Sequence, residues 1–224
     1  MQAHLTLIDN DQIRLHAAIS YGISSNVYVI EDKKTKQTAL IDTGYGPPYS
    51  NLLESLRKLK INIKNIKQIL LTHRHRDHTN GLKQILKEIK PTIYIHKLDA
   101  GVIIKRLETA KKLIVRINEG YEVKIGNTSI KAIHTPGHTA GSTCYITNEI
   151  LFSGDLVFAN GSFGRTDLPT GSINDLIESL KKISKLQVST LLPGHGEIVL
   201  KNPIAHIKLA LKMAKSYLKM RKKF

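Results

Sequence analysis

The sequence predicts an α/β protein in which two strand-rich halves, each carrying helices, pack as two sheets face to face with the helices outside. Three observations predict it. The first third is a run of short β-branched or alternating segments, the middle alternates strand with helix, and a second series of strands precedes the last helices.

Residues 4–8, 13–19, 26–31 and 38–41 read as strands, separated by Asp9-Asn10, by Gly22-Ile23-Ser24-Ser25 and by the turn Lys33-Lys34-Thr35-Lys36. Consecutive strands with short connections imply antiparallel pairing. Leu40-Ile41-Asp42-Thr43-Gly44 then places a carboxylate at the exposed end of an apolar strand. Pro47-Pro48 is expected to open a helix on which Leu52, Leu53, Leu56 and Leu59 follow helical spacing. Next come a strand over 66–72, a helix over 79–89, a strand over 92–96 and a helix from 98 to about 112. Residues 113–118, 121–125, 128–134, 142–147 and 149–153 form the second strand series, with turns at Glu119-Gly120, Gly126-Asn127 and Asn148. A helix over 173–183, a strand over 190–192 and a helix over 203–220 complete the chain. The last helix has Ile204, Ile207, Leu211, Ala214 and Leu218 on one face and Lys208, Lys212, Lys215 and Lys219 on another. With no break in composition, residues 1–224 read as one domain with the 203–220 helix packed on it.

The 224 residues are 41% apolar, as in a globular protein able to bury a substantial core. No apolar run approaches the ~20 residues of a membrane helix. The amino terminus has no basic segment followed by an apolar one, so a cytoplasmic protein without a membrane partner is expected. Cys144 is the single cysteine, which excludes an internal disulfide and a thiolate metal cluster; in Ser142-Thr143-Cys144-Tyr145-Ile146 it reads as a buried small hydrophobe. The formal charge of +16 attracts phosphate without any motif. Only eight of the 34 basic residues are Arg, and the lysines are spread over nearly every expected helix. A small anionic substrate is therefore served as well as a nucleic acid, and nucleic acid is not the expected partner. A homodimer is compatible with the sequence.

One stretch stands apart. Thr72-His73-Arg74-His75-Arg76-Asp77-His78-Thr79-Asn80-Gly81 lies where a buried strand has ended and a helix has not begun. In extended backbone His73 and His75 point to the same side, and Asp77 and His78 fall on the turn into the helix. Three imidazoles and a carboxylate in six residues are what borderline metals such as zinc bind. Three further loops each end a strand with one such group: Pro136-Gly137-His138, Gly154-Asp155 and Pro193-Gly194-His195-Gly196. Asp42 reads either as a turn cap or as the carboxylate that accepts from a ligating imidazole. His96 and His134, also at strand ends, read as structural or pocket-wall residues.

The motifs Ile41-Asp42-Thr43-Gly44, Thr72 to His78, Pro136-Gly137-His138, Gly154-Asp155 and Pro193-Gly194-His195-Gly196 resemble, in order and spacing, those of the metallo-β-lactamase superfamily. The resemblance implies an αβ/βα sandwich of two mixed β-sheets with helices on the outer faces and a dinuclear site at one edge. It also implies that His73, His75 and His138 hold one metal, that Asp77, His78 and His195 hold the second, and that Asp155 bridges them. Asp77 and Asp155 would hold and orient a metal-bridging hydroxide. True β-lactamases have Cys where this chain has Asp155. Gly161-Ser162-Phe163-Gly164-Arg165-Thr166-Asp167-Leu168-Pro169-Thr170-Gly171 resembles the glyoxalase II-like branch. Persulfide dioxygenases share a similar stretch but use one iron, at the positions of His73, His138 and Asp155. Only 29 residues follow His195, so the glutathione-binding helical region of longer glyoxalase II enzymes is expected to be largely missing.

The cofactor implied is a pair of divalent ions, zinc first, with iron or manganese also suited to these donors. Two such ions lower the pKa of bound water from 15.7 to roughly 7 and polarise a carbonyl. The expected reaction is hydrolysis of a small-molecule thioester or ester; a persulfide dioxygenase, a lactonase and a nucleic-acid phosphodiesterase are the alternatives. Arg165 is placed either to clamp a substrate carboxylate or to pair with Asp167, and both are candidate substrate-binding residues.

Overall fold

The computed structural model describes residues 2–221. Strands β1 (Gln2–Asp9), β2 (Ile13–Ser20), β3 (Val27–Asp32) and β4 (Thr38–Ile41) form an antiparallel meander; β5 (Ile66–Leu70), β6 (Thr92–His96) and β7 (Ile114–Ile117) then add in parallel, giving a seven-stranded sheet in chain order. The parallel steps are made by helices α1 (Leu52–Lys58), α2 (Arg76–Thr79), α3 (Leu82–Glu88) and α4 (Lys97–Arg106). Strands β8 (Glu122–Ile125), β9 (Thr128–His134), β10 (Thr143–Thr147), β11 (Ile150–Gly154) and β12 (Thr190–Pro193) form a second sheet of order β12-β11-β10-β9-β8, in which only β11 and β12 run parallel. Helix α5 (Ile173–Ile183) precedes β12 and α6 (Pro203–Arg221) follows it.

Three apolar layers explain the arrangement. Ile13, Leu15, Tyr28, Ile30, Ile41 and Leu70 from the first sheet meet Val123, Ile130, Tyr145, Phe152 and Leu192 from the second. The opposite face of the first sheet is covered by Leu52 and Leu56 of α1, Leu82 and Ile85 of α3 and Ile103 of α4. The opposite face of the second sheet, with Cys144 and Leu191, is covered by Leu176, Leu180 and Ile183 of α5 and Ile207, Ala210 and Ala214 of α6. This is the expected αβ/βα sandwich: strands buried on both faces read as continuous apolar runs, and the helices turn an apolar stripe toward the sheets.

Polar ties cross between the sheets. The Tyr28 hydroxyl donates to the Pro193 carbonyl (2.7 Å), the Asn26 amide donates to the carbonyls of Pro193 and Gly196 (3.1 Å each), and the Tyr145 hydroxyl donates to Leu71 O (3.0 Å). At the far end Asp32 accepts from Thr35 N (2.8 Å), Thr35 Oγ1 (2.7 Å), Asn127 N (3.1 Å) and Thr128 Oγ1 (3.2 Å), joining the β3–β4 turn to the β8–β9 turn.

Four expectations are corrected. Pro47-Pro48 does not open α1: the backbone N–H groups of Tyr49 and Ser50 close a turn onto Gly46 O, and the helix starts only where Asn51 caps Glu54 N (3.2 Å). The helix expected over 79–89 is two pieces, and Asp77 and His78 lie within the first. Ser25 N bonds the Asp77 carbonyl and Gly81 N turns to Gly44 O (3.0 Å each), so neighbouring loops take the partners that a continuous helix would use. Gly81 lies so close to Thr43 that a Cβ there would meet its carbonyl oxygen at 1.9 Å. The helix expected from 98 to 112 stops at Arg106, and a tighter turn over Glu108–Leu113 follows. Finally, β7 joins the first sheet rather than the second, because α4 returns the chain parallel to β6 in the crossover that such units make.

Candidate metal centre

β5, β11 and β12 all point their carboxyl ends at one edge of the sandwich, and the β9–β10 turn closes over it. Past β5, Asp42 accepts from Thr72 N (2.8 Å) and from Thr72 Oγ1 (2.7 Å), which pins the chain at the point where pairing stops. His75 caps α2, which places Asp77 and His78 on its first turn.

The seven residues that the sequence marks converge as two groups, within each of which the candidate ligand atoms lie no more than 4.8 Å apart. In the first, His75 Nδ1 is 3.0 Å from His73 Nε2 and 2.9 Å from His138 Nε2. In the second, His195 Nε2 is 3.2 Å from His78 Nε2 and 3.1 Å from Asp77 Oδ2, and His78 Nε2 is 3.2 Å from Asp155 Oδ1. Asp155 spans the groups, its Oδ2 lying 3.5 Å from His138 Nε2 and 3.7 Å from His195 Nε2.

Three of the outward-facing nitrogens are already committed. His78 Nδ1 donates to Asp42 Oδ2 at 2.7 Å, the contact that an orienting carboxylate makes. His138 Nδ1 donates to the Arg165 carbonyl at 2.7 Å, and His73 Nδ1 lies 3.1 Å from Thr72 Oγ1. With those hydrogens placed outside, neutral imidazoles turn lone pairs inward on one another, an arrangement that only a proton or a cation relieves. Asp155 Oδ1 is buried and makes no well-aligned hydrogen bond, with His78 Nε2 facing it at 3.2 Å, a setting that a cation between them would satisfy. Gly194 makes room for it: a Cβ there would lie 2.3 Å from Asp155 Oδ1 and 2.7 Å from His78 Cε1. Donor set, orientation and buried carboxylate oxygen together fit two divalent ions.

The titration of these groups agrees. Burial, and then the neighbouring imidazoles, hold His73 well below the usual histidine range and bring His75 down to about 4. Burial opposes charge on His78 and Asp155 as well, but there it is overcome. The carboxylates of Asp155 and Asp42 push His78 well above its ordinary value, while His78 pulls Asp155 well below the carboxylate range. The proton on His78 occupies the side of the ring that a cation would take.

The other marked residues are placed as follows. Arg165 and Asp167 pair with each other through two contacts (3.0 and 2.8 Å) and are exposed, so the pairing alternative is the one observed, with the Arg165 side chain at the cleft wall. His96 and His134 stack at 3.9 Å, away from the two groups. Cys144 is buried, and burial pushes its thiol up to about 12, which makes it inert. Four contributors carried no sequence signal. Asp99, fully buried, accepts from Arg74 N (3.1 Å) and Thr139 Oγ1 (2.7 Å) and thereby ties the His73–His75 loop to the His138 turn. Phe158, Phe163 and Leu168 line an open cleft of about 500 Å³ above the two groups. An Asp near a helix start was the one available hint; wall residues of a loop have none.

The metallo-beta-lactamase superfamily model matches residues 21–195, which include all seven residues. The chain belongs to that superfamily. A probable metallo-hydrolase of Methanocaldococcus jannaschii is 36% identical over 204 residues, covering 84% of this chain and 96% of its own. A probable polyketide biosynthesis zinc-dependent hydrolase of Bacillus subtilis is 29% identical, covering 78% of this chain and 74% of its own. An atrochrysone carboxyl ACP thioesterase of Aspergillus fumigatus is also 29% identical, covering 78% of this chain and 38% of its own. Among solved structures, a flavo di-iron protein variant of Thermotoga maritima superposes with a TM-score of 0.77 over 96% of this chain and 62% of its own; at 20% identity it shares the fold. No helix among the described residues is long and apolar enough to cross a membrane.

Proposed function

We propose that this protein is a metallohydrolase that cleaves a small-molecule acyl thioester or ester with two divalent ions, in the manner of the glyoxalase II-like branch. The observation that carries the reading is Asp155: a buried carboxylate set between two groups of imidazoles, one oxygen 3.2 Å from His78 Nε2 and the other 3.5 Å from His138 Nε2. Divalent ions held there supply an ionised water near neutral pH and a Lewis acid for the carbonyl.

The chain's own residues do the rest. Asp42 and the Arg165 carbonyl fix which nitrogen of His78 and of His138 faces inward. Asp77 and Asp155 bring anionic oxygens that orient the nucleophile's hydrogens and offset charge in the cleft. Phe158, Phe163 and Leu168 form an apolar wall that limits water beside the reacting carbonyl. A thioester suits the site because its leaving thiolate needs little protonation. The Arg165 side chain, exposed at the cleft wall, can exchange Asp167 for a substrate carboxylate at small cost.

The test is a panel of thioesters, including S-lactoylglutathione, with a lactone and glutathione persulfide, offered to protein loaded with two equivalents of zinc, iron or manganese. Thioester cleavage that requires metal and is abolished by Asp155→Ala supports the reading. Fully metallated protein that hydrolyses neither thioester nor lactone overturns it. Oxygen uptake with the persulfide that survives His78→Ala points to the one-iron oxygenase instead.

A further inference from the structure

α6 has more apolar surface than its packing uses. At 3.6 residues per turn, Leu209, Met213, Tyr217 and Met220 fall on one flank of the helix, adjoining the buried Ile207, Ala210 and Ala214 and about 125° round from the centre of the lysine face. They are 43%, 44%, 38% and 57% exposed. One stripe suffices to dock a helix, and this is a second.

That second stripe continues the wall of the metal cleft. Leu209 is packed on Gly161, where a Cβ would come within 2.5 Å of its Cγ. The Tyr217 ring lies 6.3 Å from Phe163, which lines the cleft. Phe158, also in the cleft wall, has its ring 6.2 Å from His195. An apolar track thus leads from a candidate metal ligand, through Phe158 and Phe163, onto α6. Leu209 to Met220 is twelve residues of helix, roughly 17 Å from first to last.

We propose that this track binds the acyl chain of the substrate, so that the acyl group is an extended aliphatic chain and Met213 and Tyr217 determine specificity for its length. The proposal rests on the thioester reading of the same site. The occupant follows from continuity and chemistry: the track starts in the cleft beside the candidate metal ligands and is lined by rings and thioether or aliphatic side chains. A short polar hydroxyacyl group would leave it empty.

The experiment measures binding of non-hydrolysable alkyl thioethers of N-acetylcysteamine, methyl to dodecyl, to zinc-loaded protein by calorimetry, and in parallel kcat/KM for the matching acyl thioesters. A methylene fully removed from water is worth about fourfold, so a groove open on one side should give about twofold per methylene. The gradient should collapse toward no dependence in Met213→Asp with Tyr217→Asp. It should persist in Lys208→Asp with Lys212→Asp, on the other side of the helix. Graded binding without thioester cleavage supports the track while refuting the hydrolytic reading. Cleavage with a flat series in both measurements overturns the track and leaves hydrolysis standing. A wild-type dimer in sedimentation that Met213→Asp converts to monomer overturns it too, because the stripe is then an interface between two copies.

Discussion

Asp42→Asn separates orientation of the second group from its mere presence. Asp42 has φ of 58°, a conformation that Asn tolerates well. The amide oxygen can keep the bond from Thr72 N, but the amide nitrogen replaces the oxygen that accepts from Thr72 Oγ1 and His78 Nδ1. It donates where the carboxylate accepted. His78 must then present Nδ1 as acceptor and carry its hydrogen on Nε2, the atom that faces His195 and Asp155. Loss of such an orienting partner costs 10–100-fold in metal affinity, or about 1.4–2.7 kcal/mol. That loss should fall on one equivalent only, since His73, His75 and His138 do not touch Asp42. Stability should drop by only ~1–2 kcal/mol, as a charge-assisted bond becomes a neutral one. Asp42→Ala should do worse, leaving Thr72 N buried without a partner for ~1–3 kcal/mol. Chelator competition with elemental analysis, beside denaturant unfolding, reads both quantities. Two equivalents bound to the Asn variant with unchanged affinity would refute the orienting role.

Three further outcomes are expected. Gly194→Ala should lose one metal equivalent with little change in secondary structure, because its Cβ would overlap Asp155 Oδ1 at 2.3 Å; retention of both by elemental analysis contradicts the packing. His78 is raised above its ordinary value, so at pH 7 the metal-free protein carries its proton; metal uptake should release it and affinity should weaken as pH falls. A calorimetric enthalpy that is the same in buffers of different ionisation heat would contradict this. For Asp32, burial raises the carboxyl pKa but the bonds from Thr35, Asn127 and Thr128 override it, leaving it lowered. Its stabilisation is therefore present above the unfolded value and lost as pH falls through the folded one. Asp32→Ala should cost ~3 kcal/mol at pH 7, and the gap should close in strong acid. A gap that is constant in unfolding experiments from pH 7 to below 3 would count against the assignment.

Much of the molecule was legible because period and residue type carry it. Alternation and short apolar runs marked every strand within a residue or two, and His or Asp at strand ends marked the seven residues that meet. What stayed hidden depends on partners distant in sequence. The interruption at Asn80-Gly81 comes from backbone groups of Ser25, Thr43 and Gly44, and nothing in the periodicity of residues 79–89 reports them. The attachment of β7 to the first sheet is a topological consequence of α4, since its own four residues suit either sheet. The Arg165 carbonyl that positions His138 is invisible by nature, because every residue has one. Asp99 looked like any surface acid at a helix start, yet it is buried and holds two site loops together.

The ties that run from Asn26, Tyr28 and Tyr145 to the carbonyls of Pro193 and Leu71 have a bearing on evolution and engineering of the centre. Each of its two groups draws side chains from loops of both sheets, so the spacing of the candidate ligands is inherited from how thickly the interior is filled. A methyl group added or removed beneath the centre, at Phe152 or Leu192 for instance, changes that spacing without altering any ligand. Tuning of metal preference and rate can therefore proceed from behind the site, by substitutions that a comparison of ligand residues would score as neutral.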